Sequence, residues 1–156
     1  MNILALDLGQ YMAAMGTGIG PMSRHFNGNR VERAAQTLVW LDELKFKCGR
    51  HGWDVVIYER PFVRGGHATR ALWGLAGLIE AVFGGSAAIM DLTPGSIKKW
   101  ATGHGGASKE PMQTAAMLFG YPDLNEHEAD AVCLYFLARE LCKVEKPNVD
   151  AQSYPS

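Results

Sequence analysis

The sequence predicts an α/β protein in which a mixed five-stranded sheet is flanked by helices. Short apolar runs of strand length occupy residues 3–8, 11–19, 22–26, 54–59 and 87–92. The first three runs follow one another closely, as in an antiparallel meander, whereas helical segments precede the last two and follow them. Strands one and four are therefore expected to be parallel, with their carboxyl ends at the same edge of the sheet.

Turn and cap signals set the expected limits of the N-terminal elements. Gly20-Pro21 is expected to break the chain before the third strand. Asn29 and Glu32 have capping-box spacing, which predicts a helix from there to about Gly49. The apolar residues with helical spacing in this segment are Val31, Ala34, Ala35, Leu38 and Leu41.

Further helices are predicted at residues 67–83, 94–101 and 108–119, and beyond Asn125. Gly74 and Gly77 lower the helix propensity of the first of these, which favours close packing of that helix against another element. Asn125 and Glu128 form a second capping box. The stripe that follows consists of Ala129, Val132, Cys133, Phe136 and Leu137. One domain is expected over residues 1–145, followed by a flexible tail at 146–156.

Composition is that of a globular protein with its own core, with 47% hydrophobic and 20% charged residues in 156. Because no apolar stretch approaches the roughly 20 residues of a membrane span, we expect no membrane association. The N-terminus lacks the features of a secretion signal, so a cytoplasmic location is expected, in a bacterium or in the host of a phage. The three cysteines have no metal-ligand spacing, and Cys133 is expected in the core.

The distribution of charge says more than the net charge of −1. Residues 60–109 carry a net charge of +4, whereas residues 110–156 carry −5. A basic middle next to an acidic C-terminal third is compatible with a phosphate-binding surface beside a metal-binding one. An ordinary mixture of solvated charges explains the same distribution equally well.

Three carboxylates are candidates for the chemistry. Asp7 and Glu59 each end a buried strand, and Asp130 lies near the start of the last helix, within NEHEADAV. A buried carboxylate is costly unless it is paired or bound to metal, and hard oxygen ligands favour Mg²⁺ or Mn²⁺. Taken singly, Asp7 could cap a turn, Glu59 could pair with an arginine of the following loop, and Asp130 could be solvated.

The strand with DLG, the glutamate that ends the fourth strand and the helix with HEAD resemble the RuvC-type Holliday junction resolvases, including phage-encoded members. The resemblance extends from about Asn2 to Glu140 and implies an RNase H-like fold. It also implies two Mg²⁺ ions, with Mn²⁺ as a substitute. Their ligands would be Asp7, Glu59, His127 and Asp130. Glu126 and Glu128 flank His127 and stay open as alternative ligands.

Further matches to these resolvases concern DNA. Phe62 resembles the aromatic residue that these enzymes press against a base, although it could also be a core residue. Lys98 and Lys109 resemble the lysines near the scissile phosphate, and Lys109 is expected to stabilise developing charge there, although either could be solvated. The remaining basic residues expected to contact the DNA backbone are Arg60, Arg64, Arg70 and Lys99.

The resemblance implies a structure-selective endodeoxyribonuclease that resolves four-way junctions by paired nicks and leaves 5′-phosphates, through two-metal hydrolysis. It implies a homodimer, for which the helix at residues 67–83 is the candidate interface, unless that helix belongs to the intramolecular core. One alternative is a nuclease that acts on flaps, replication forks or RNA. A second alternative, an ATP-binding domain of the sugar kinase and actin superfamily, is disfavoured because it would need a longer chain. A third, a non-catalytic DNA-binding module, is disfavoured because it would not need suitable residues at all four ligand positions.

Overall fold

The structure, a computed structural model, describes residues 1–61 and 67–144. The order of elements is the one that the sequence predicts, and the α/β class is confirmed. The strands are β1 (Ile3–Asp7), β2 (Tyr11–Gly16), β3 (Ile19–His25), β4 (Val55–Glu59) and β5 (Ala88–Leu92). The helices are α1 (Arg30–Lys47), α2 (His67–Phe83), α3 (Pro94–Thr102), α4 (Lys109–Leu118) and α5 (Glu126–Val144), with a 3₁₀ turn at Gly49–His51.

The five strands form one mixed sheet in the order β3-β2-β1-β4-β5. Strand β1 is antiparallel to β2 and parallel to β4, and β4 is parallel to β5. Leu6 lies opposite Tyr58, so the next residues, Asp7 and Glu59, end neighbouring strands at the same edge. The predicted juxtaposition of these two strand ends is therefore confirmed.

Helices cover both faces of the sheet, which explains why β1 is apolar along its whole length up to Asp7. Alternate residues of β1, such as Leu4 and Leu6, face a core shared with α1 and α2. The others, such as Ile3 and Ala5, face a core built largely from α5, with contributions from α3 and α4. Helix α5 packs on β1 and β2, and its Cys133 is fully buried, as predicted.

The predicted break at Gly20-Pro21 is wrong, because both residues lie within β3. The chain turns earlier, at Gly18, whose φ of +79° suits glycine. Strand β3 lies at the edge of the sheet, where a proline can be accommodated without losing a ladder hydrogen bond.

Helix α1 begins at the predicted capping box, in which Asn29 accepts from the backbone of Glu32 and the Glu32 carboxylate accepts from Asn29. The predicted apolar face of this helix is only partly buried, because Val31 and Leu38 are exposed. The residues that α1 buries are Thr37, Trp40, Leu41 and Leu44. Burying the large Trp40, which packs edge-on against Phe26, outweighs burying smaller aliphatic groups.

Within the described part of this chain, Gly74 and Gly77 do not mark close packing of α2, contrary to the prediction. Both are exposed, and a Cβ atom added to either would meet none of the described residues within 4 Å. Helix α2 instead packs through Ala76, Ile79 and Phe83, which lie in the core shared with α1.

None of the helices in the described ranges is long and apolar enough to cross a membrane. Three predictions fall outside the described residues: the tail at 146–156, the aromatic contact at Phe62 and the backbone contact at Arg64. The domain limit at residue 145 likewise stays a prediction.

Candidate active site

Three carboxylates gather where the carboxyl ends of β1 and β4 meet the first turns of α5. Asp7 is buried, with 8% of its surface exposed, and Glu59 and Asp130 are partly buried. Asp130 comes one turn after the start of α5, a helix that packs against both β1 and β4. The strand ends and the helix start thus converge at one edge of the sheet, a region that we call the cleft.

The charges of the three carboxylates affect their pKa values. Burial raises the pKa of Glu59 to about 7, and the charges of Asp7 and Asp130 contribute to that rise while Lys98 opposes them. Burial also raises the pKa of Asp130 to about 7, with Asp7 adding to the effect. With pKa values of about 7, Glu59 and Asp130 are only partly ionised at neutral pH, and a bound cation would favour their charged forms.

His127, on the same helix face as Asp130, is bonded to Asp7. Its Nδ1 atom lies 2.7 Å from Oδ2 of Asp7, and this hydrogen bond raises the pKa of the imidazole. The opposite nitrogen, Nε2, lies 3.6 Å from a carboxylate oxygen of Glu126. His127 is therefore part of the carboxylate cluster, in contact with Asp7.

A stack of three rings holds His127 from the side. Tyr11 lies between His25 and His127, with ring centroids 4.0 Å and 5.6 Å away and interplanar angles of 13° and 8°. Tyr11 and His25 face each other in the register of β2 and β3, and Gln10 bonds the ring of His25 at 3.2 Å. The β-meander thus fixes the plane of the His127 ring.

A hydrogen-bond network anchors the start of α5 to β3. The predicted capping box is present, since Glu128 donates its backbone N–H to Asn125 at 3.0 Å and accepts from the Asn125 backbone at 3.3 Å. The hydroxyl of Ser23 donates to the other oxygen of Glu128 at 2.8 Å, and the Asn125 amide donates to Ser23 at 3.1 Å. Glu128 is therefore occupied as a cap, which leaves Glu126 as the nearer alternative to His127.

The basic residues predicted near the phosphate have different surroundings. Lys98, on α3, is the lysine that lowers the pKa values of both Glu59 and Asp130. Lys109, the first residue of α4, forms an ion pair with Glu126. Arg60 pairs with Asp91 on β5, not with Glu59.

Lys99 and Arg70 are exposed on α3 and α2 respectively. Among the described residues, neither forms an ion pair.

Sequence reasoning missed Tyr11, His25 and Ser23. The register of β2 and β3 would have placed Tyr11 and His25 side by side, but the wrong break at Gly20-Pro21 hid that register. No sequence pattern indicates the role of Ser23, because its hydrogen bond to Glu128 depends on where α5 crosses β3.

The donor set suits a hard divalent cation. Within residues 1–61 and 67–144, no three His, Cys, Asp or Glu side chains already stand in a metal-ligand arrangement. Carboxylate oxygens in the cleft come from Asp7, Glu59 and Asp130, with Glu126 beside them. Carboxylate oxygens whose pKa values are raised by burial and by neighbouring carboxylates fit Mg²⁺ or Mn²⁺, which would favour their charged forms.

Comparisons with known proteins identify the fold. A structure of Thermus thermophilus RuvC matches with a TM-score of 0.72 and 17% identity, over 92% of this chain and 96% of that one. A second, T. thermophilus RuvC in complex with a Holliday junction substrate, matches with a TM-score of 0.75 and 14% identity, over 93% and 96%. This chain has the RuvC fold. No protein-family model matches the sequence, and no curated protein does.

At these identities the likeness establishes the architecture alone. It confirms the predicted RNase H-like mixed five-stranded sheet flanked by helices. On this RuvC-like scaffold, the residues that converge in the cleft are those that the sequence offered as ligands: Asp7, Glu59, His127 and Asp130.

Proposed function

We propose that this protein is a metal-dependent endonuclease that acts on branched DNA. The observation that carries the proposal is the cluster of Asp7, Glu59 and Asp130 at the carboxyl edge of a RuvC-like sheet, where burial and repulsion raise two of the pKa values to about 7. Such a cluster is unfavourable for a purely structural role, because the cost of burial outweighs the compensation that Lys98 gives to Glu59 and Asp130. A functional site is the usual reason for such an arrangement.

Asp7, Glu59 and Asp130 would hold the metal through their carboxylate oxygens, with His127 completing the set or positioning Asp7. A pair of bound Mg²⁺ ions would supply an activated water and would stabilise the leaving 3′ oxygen. In the same cleft, Lys98 is the cation best situated to neutralise the scissile phosphate, since it acts on both Glu59 and Asp130. Lys109 is engaged by Glu126 and would have to leave that ion pair to contact a phosphate.

Four-way junctions are our first candidate substrate. Support comes from the matching structure of a RuvC protein in complex with a Holliday junction substrate. Such a junction has near two-fold symmetry, so we propose a homodimer with one site per subunit and a paired nick that leaves 5′-phosphates. Flaps, forks and RNA–DNA hybrids remain the alternative substrates, and we propose a cytoplasmic location for the reaction.

The test is the nicking of a synthetic four-way junction by the wild type and by Asp7→Asn, with Mg²⁺ or with EDTA. We expect Mg²⁺-dependent 5′-phosphate products from the wild type, and retained binding without nicking from Asp7→Asn. Asp54→Asn is the matched control, because Asp54 lies just before β4, at the far end of that strand from Glu59. Full activity of Asp7→Asn, or nicking that persists in EDTA, would overturn the proposal.

A panel of four-way junctions, flaps, forks and RNA–DNA hybrids of equal length then separates the candidate substrates. We expect the junction to be cut with the highest kcat/KM. A clear preference for another member would keep the nuclease proposal and replace its substrate.

A further inference from the structure

The residue that follows Glu59 is joined to β5 by its backbone and by its side chain. The backbone N–H of Arg60 donates to the carbonyl oxygen of Leu92 at 2.7 Å, which continues the pairing of β4 with β5 one residue past the end of β4. The guanidinium group of Arg60 forms an ion pair with the carboxylate of Asp91. Arg60 is therefore linked to two successive residues of β5.

The residue before Glu59 is also held in place. Tyr58 is buried in the core shared with α1 and α2, and its hydroxyl donates to Glu80 of α2 at 3.3 Å. In the parallel register, Tyr58 lies opposite Asp91 and Glu59 lies opposite Leu92. Glu59 thus lies between two residues that are each attached to a neighbouring element.

The ion pair and the carboxylate of Glu59 lie on opposite faces of the sheet. Side chains alternate between the two faces along a strand. Ile57 on β4 lies in the core built largely from α5, whereas Ile89 on β5 lies in the core shared with α1 and α2. By this alternation Glu59 shares the face of Ile57, and Asp91 shares the face of Ile89. The contact between Arg60 and Asp91 therefore reaches Glu59 through the backbone.

We infer that Asp91 is a positioning residue for the metal site: through Arg60, it holds the end of β4 so that the Glu59 carboxylate stays at the cluster. Strand β4 ends at Glu59, and the end of a strand is where pairing opens most readily. The ion pair adds a second link at that point. Ligands bind metal more tightly when the groups behind them keep them in place before the ion arrives. This inference rests on the proposed metal site and deepens it.

Replacing Arg60 by glutamine separates positioning from a direct effect of charge. If the positive charge of Arg60 acted on the site directly, its removal would strengthen the binding of a cation. If Arg60 holds Glu59 in place, its removal should weaken that binding. We expect Arg60→Gln and Asp91→Ala each to bind Mn²⁺ about tenfold more weakly than the wild type, as measured by electron paramagnetic resonance of the free ion without DNA. Asp91→Glu keeps the carboxylate and should recover most of the affinity.

The double variant and a second ion pair complete the design. Once one partner is removed, the other has nothing to hold, so Arg60→Gln with Asp91→Ala should bind Mn²⁺ no more weakly than either single variant. The matched control is the pair of Arg24 and Glu43 between β3 and α1, whose side chains are each 45% exposed, against 50% and 33% for Arg60 and Asp91. Glu43→Gln should leave the Mn²⁺ affinity within about twofold of the wild type.

Two measurements in EDTA show whether the effect is local. Melting temperatures of all variants should stay within about 3 °C of the wild type, because exposed ion pairs contribute little to global stability. Hydrogen exchange of the Arg60 amide should be about fivefold faster in Asp91→Ala and unchanged in Glu43→Gln. The exchange measurement needs neither metal nor cleavage.

The inference is overturned if Arg60→Gln binds Mn²⁺ as tightly as the wild type or more tightly, or if the losses of the two single variants multiply in the double variant. Unchanged exchange of the Arg60 amide in Asp91→Ala would overturn it as well. So would a loss of junction binding in Asp91→Ala with unchanged Mn²⁺ affinity, which would assign the ion pair to DNA. A wild type that binds no Mn²⁺ would count against the proposed function, and the exchange measurement alone would then decide the inference.

Discussion

Replacing Asp130 by asparagine should stabilise the metal-free protein at neutral and higher pH. Asparagine is nearly isosteric with aspartate but carries no charge, so it removes the repulsion from Asp7 and the cost of burying a carboxylate. The pKa of Asp130 is raised, which means that the folded state binds its proton more tightly than the unfolded chain does. The wild type therefore loses stability as the pH rises from about 4 to about 7, and the variant does not.

The magnitude follows from the pKa. A rise from 3.8 to about 7 corresponds to roughly 4 kcal/mol, at about 1.4 kcal/mol for each pKa unit. Because the group retains some solvent and shares its repulsion with its neighbours, we expect about 2–4 kcal/mol above pH 7. For a chain of 156 residues this is a rise in Tm of about 5–15 °C. Below pH 4, where both states are protonated, the two proteins should be equally stable.

The assay is thermal unfolding in EDTA at pH 4, 6 and 8, followed by circular dichroism. Glu140→Gln is the control on the same helix, where an exposed carboxylate accepts from Trp100, and its effect should stay within about 0.5 kcal/mol. Adding Mg²⁺ at pH 8 should stabilise the wild type more than Asp130→Asn. An Asp130→Asn protein that is less stable than the wild type at pH 8 in EDTA would refute the reasoning.

Three further predictions concern the surroundings of the carboxylates. Tyr11→Phe should keep the ring stack on His127 and should nick the junction within about twofold of the wild-type rate. Tyr11→Ala should lower the nicking rate about tenfold and shift the ¹⁵N resonances of His127. Equal nicking rates of the two variants would contradict this. Lys98→Gln should lower the single-turnover rate constant of nicking about 100-fold, and Lys109→Gln should lower it much less. A larger loss in Lys109→Gln would exchange the roles of the two lysines. Ser23→Ala should lower the free energy of unfolding by about 1–2 kcal/mol, because it removes two hydrogen bonds that hold the start of α5. An unchanged urea midpoint would argue against that anchor.

The backbone of the site could be predicted from the sequence because it depends on local signals. Buried runs that end in Asp7 and Glu59 specify two parallel strand ends. The Asn125 and Glu128 capping box specifies where α5 starts and hence where Asp130 lies. Each of these signals is set by residues that are close in sequence, and the structure agrees with all of them.

What could not be predicted depends on contacts between distant segments. Lys98 and Lys109 look equivalent in sequence, and only the packing of α3 and α4 determines that Lys98 acts on the carboxylates while Lys109 pairs with Glu126. The exposed Gly74 and Gly77 show the same limit, since a glycine in a helix does not reveal whether a neighbour approaches it. The ring stack on His127 required the strand register that the misplaced turn at Gly20-Pro21 concealed.

The central claim is that Asp7, Glu59 and Asp130 together bind divalent metal, and anomalous diffraction from crystals soaked in Mn²⁺ tests it most directly. We predict a manganese peak within about 2.5 Å of carboxylate oxygens from at least two of these residues, absent from crystals of Asp7→Asn. A cleft without manganese in the soaked wild type, or a peak that the substitution leaves in place, would contradict the claim.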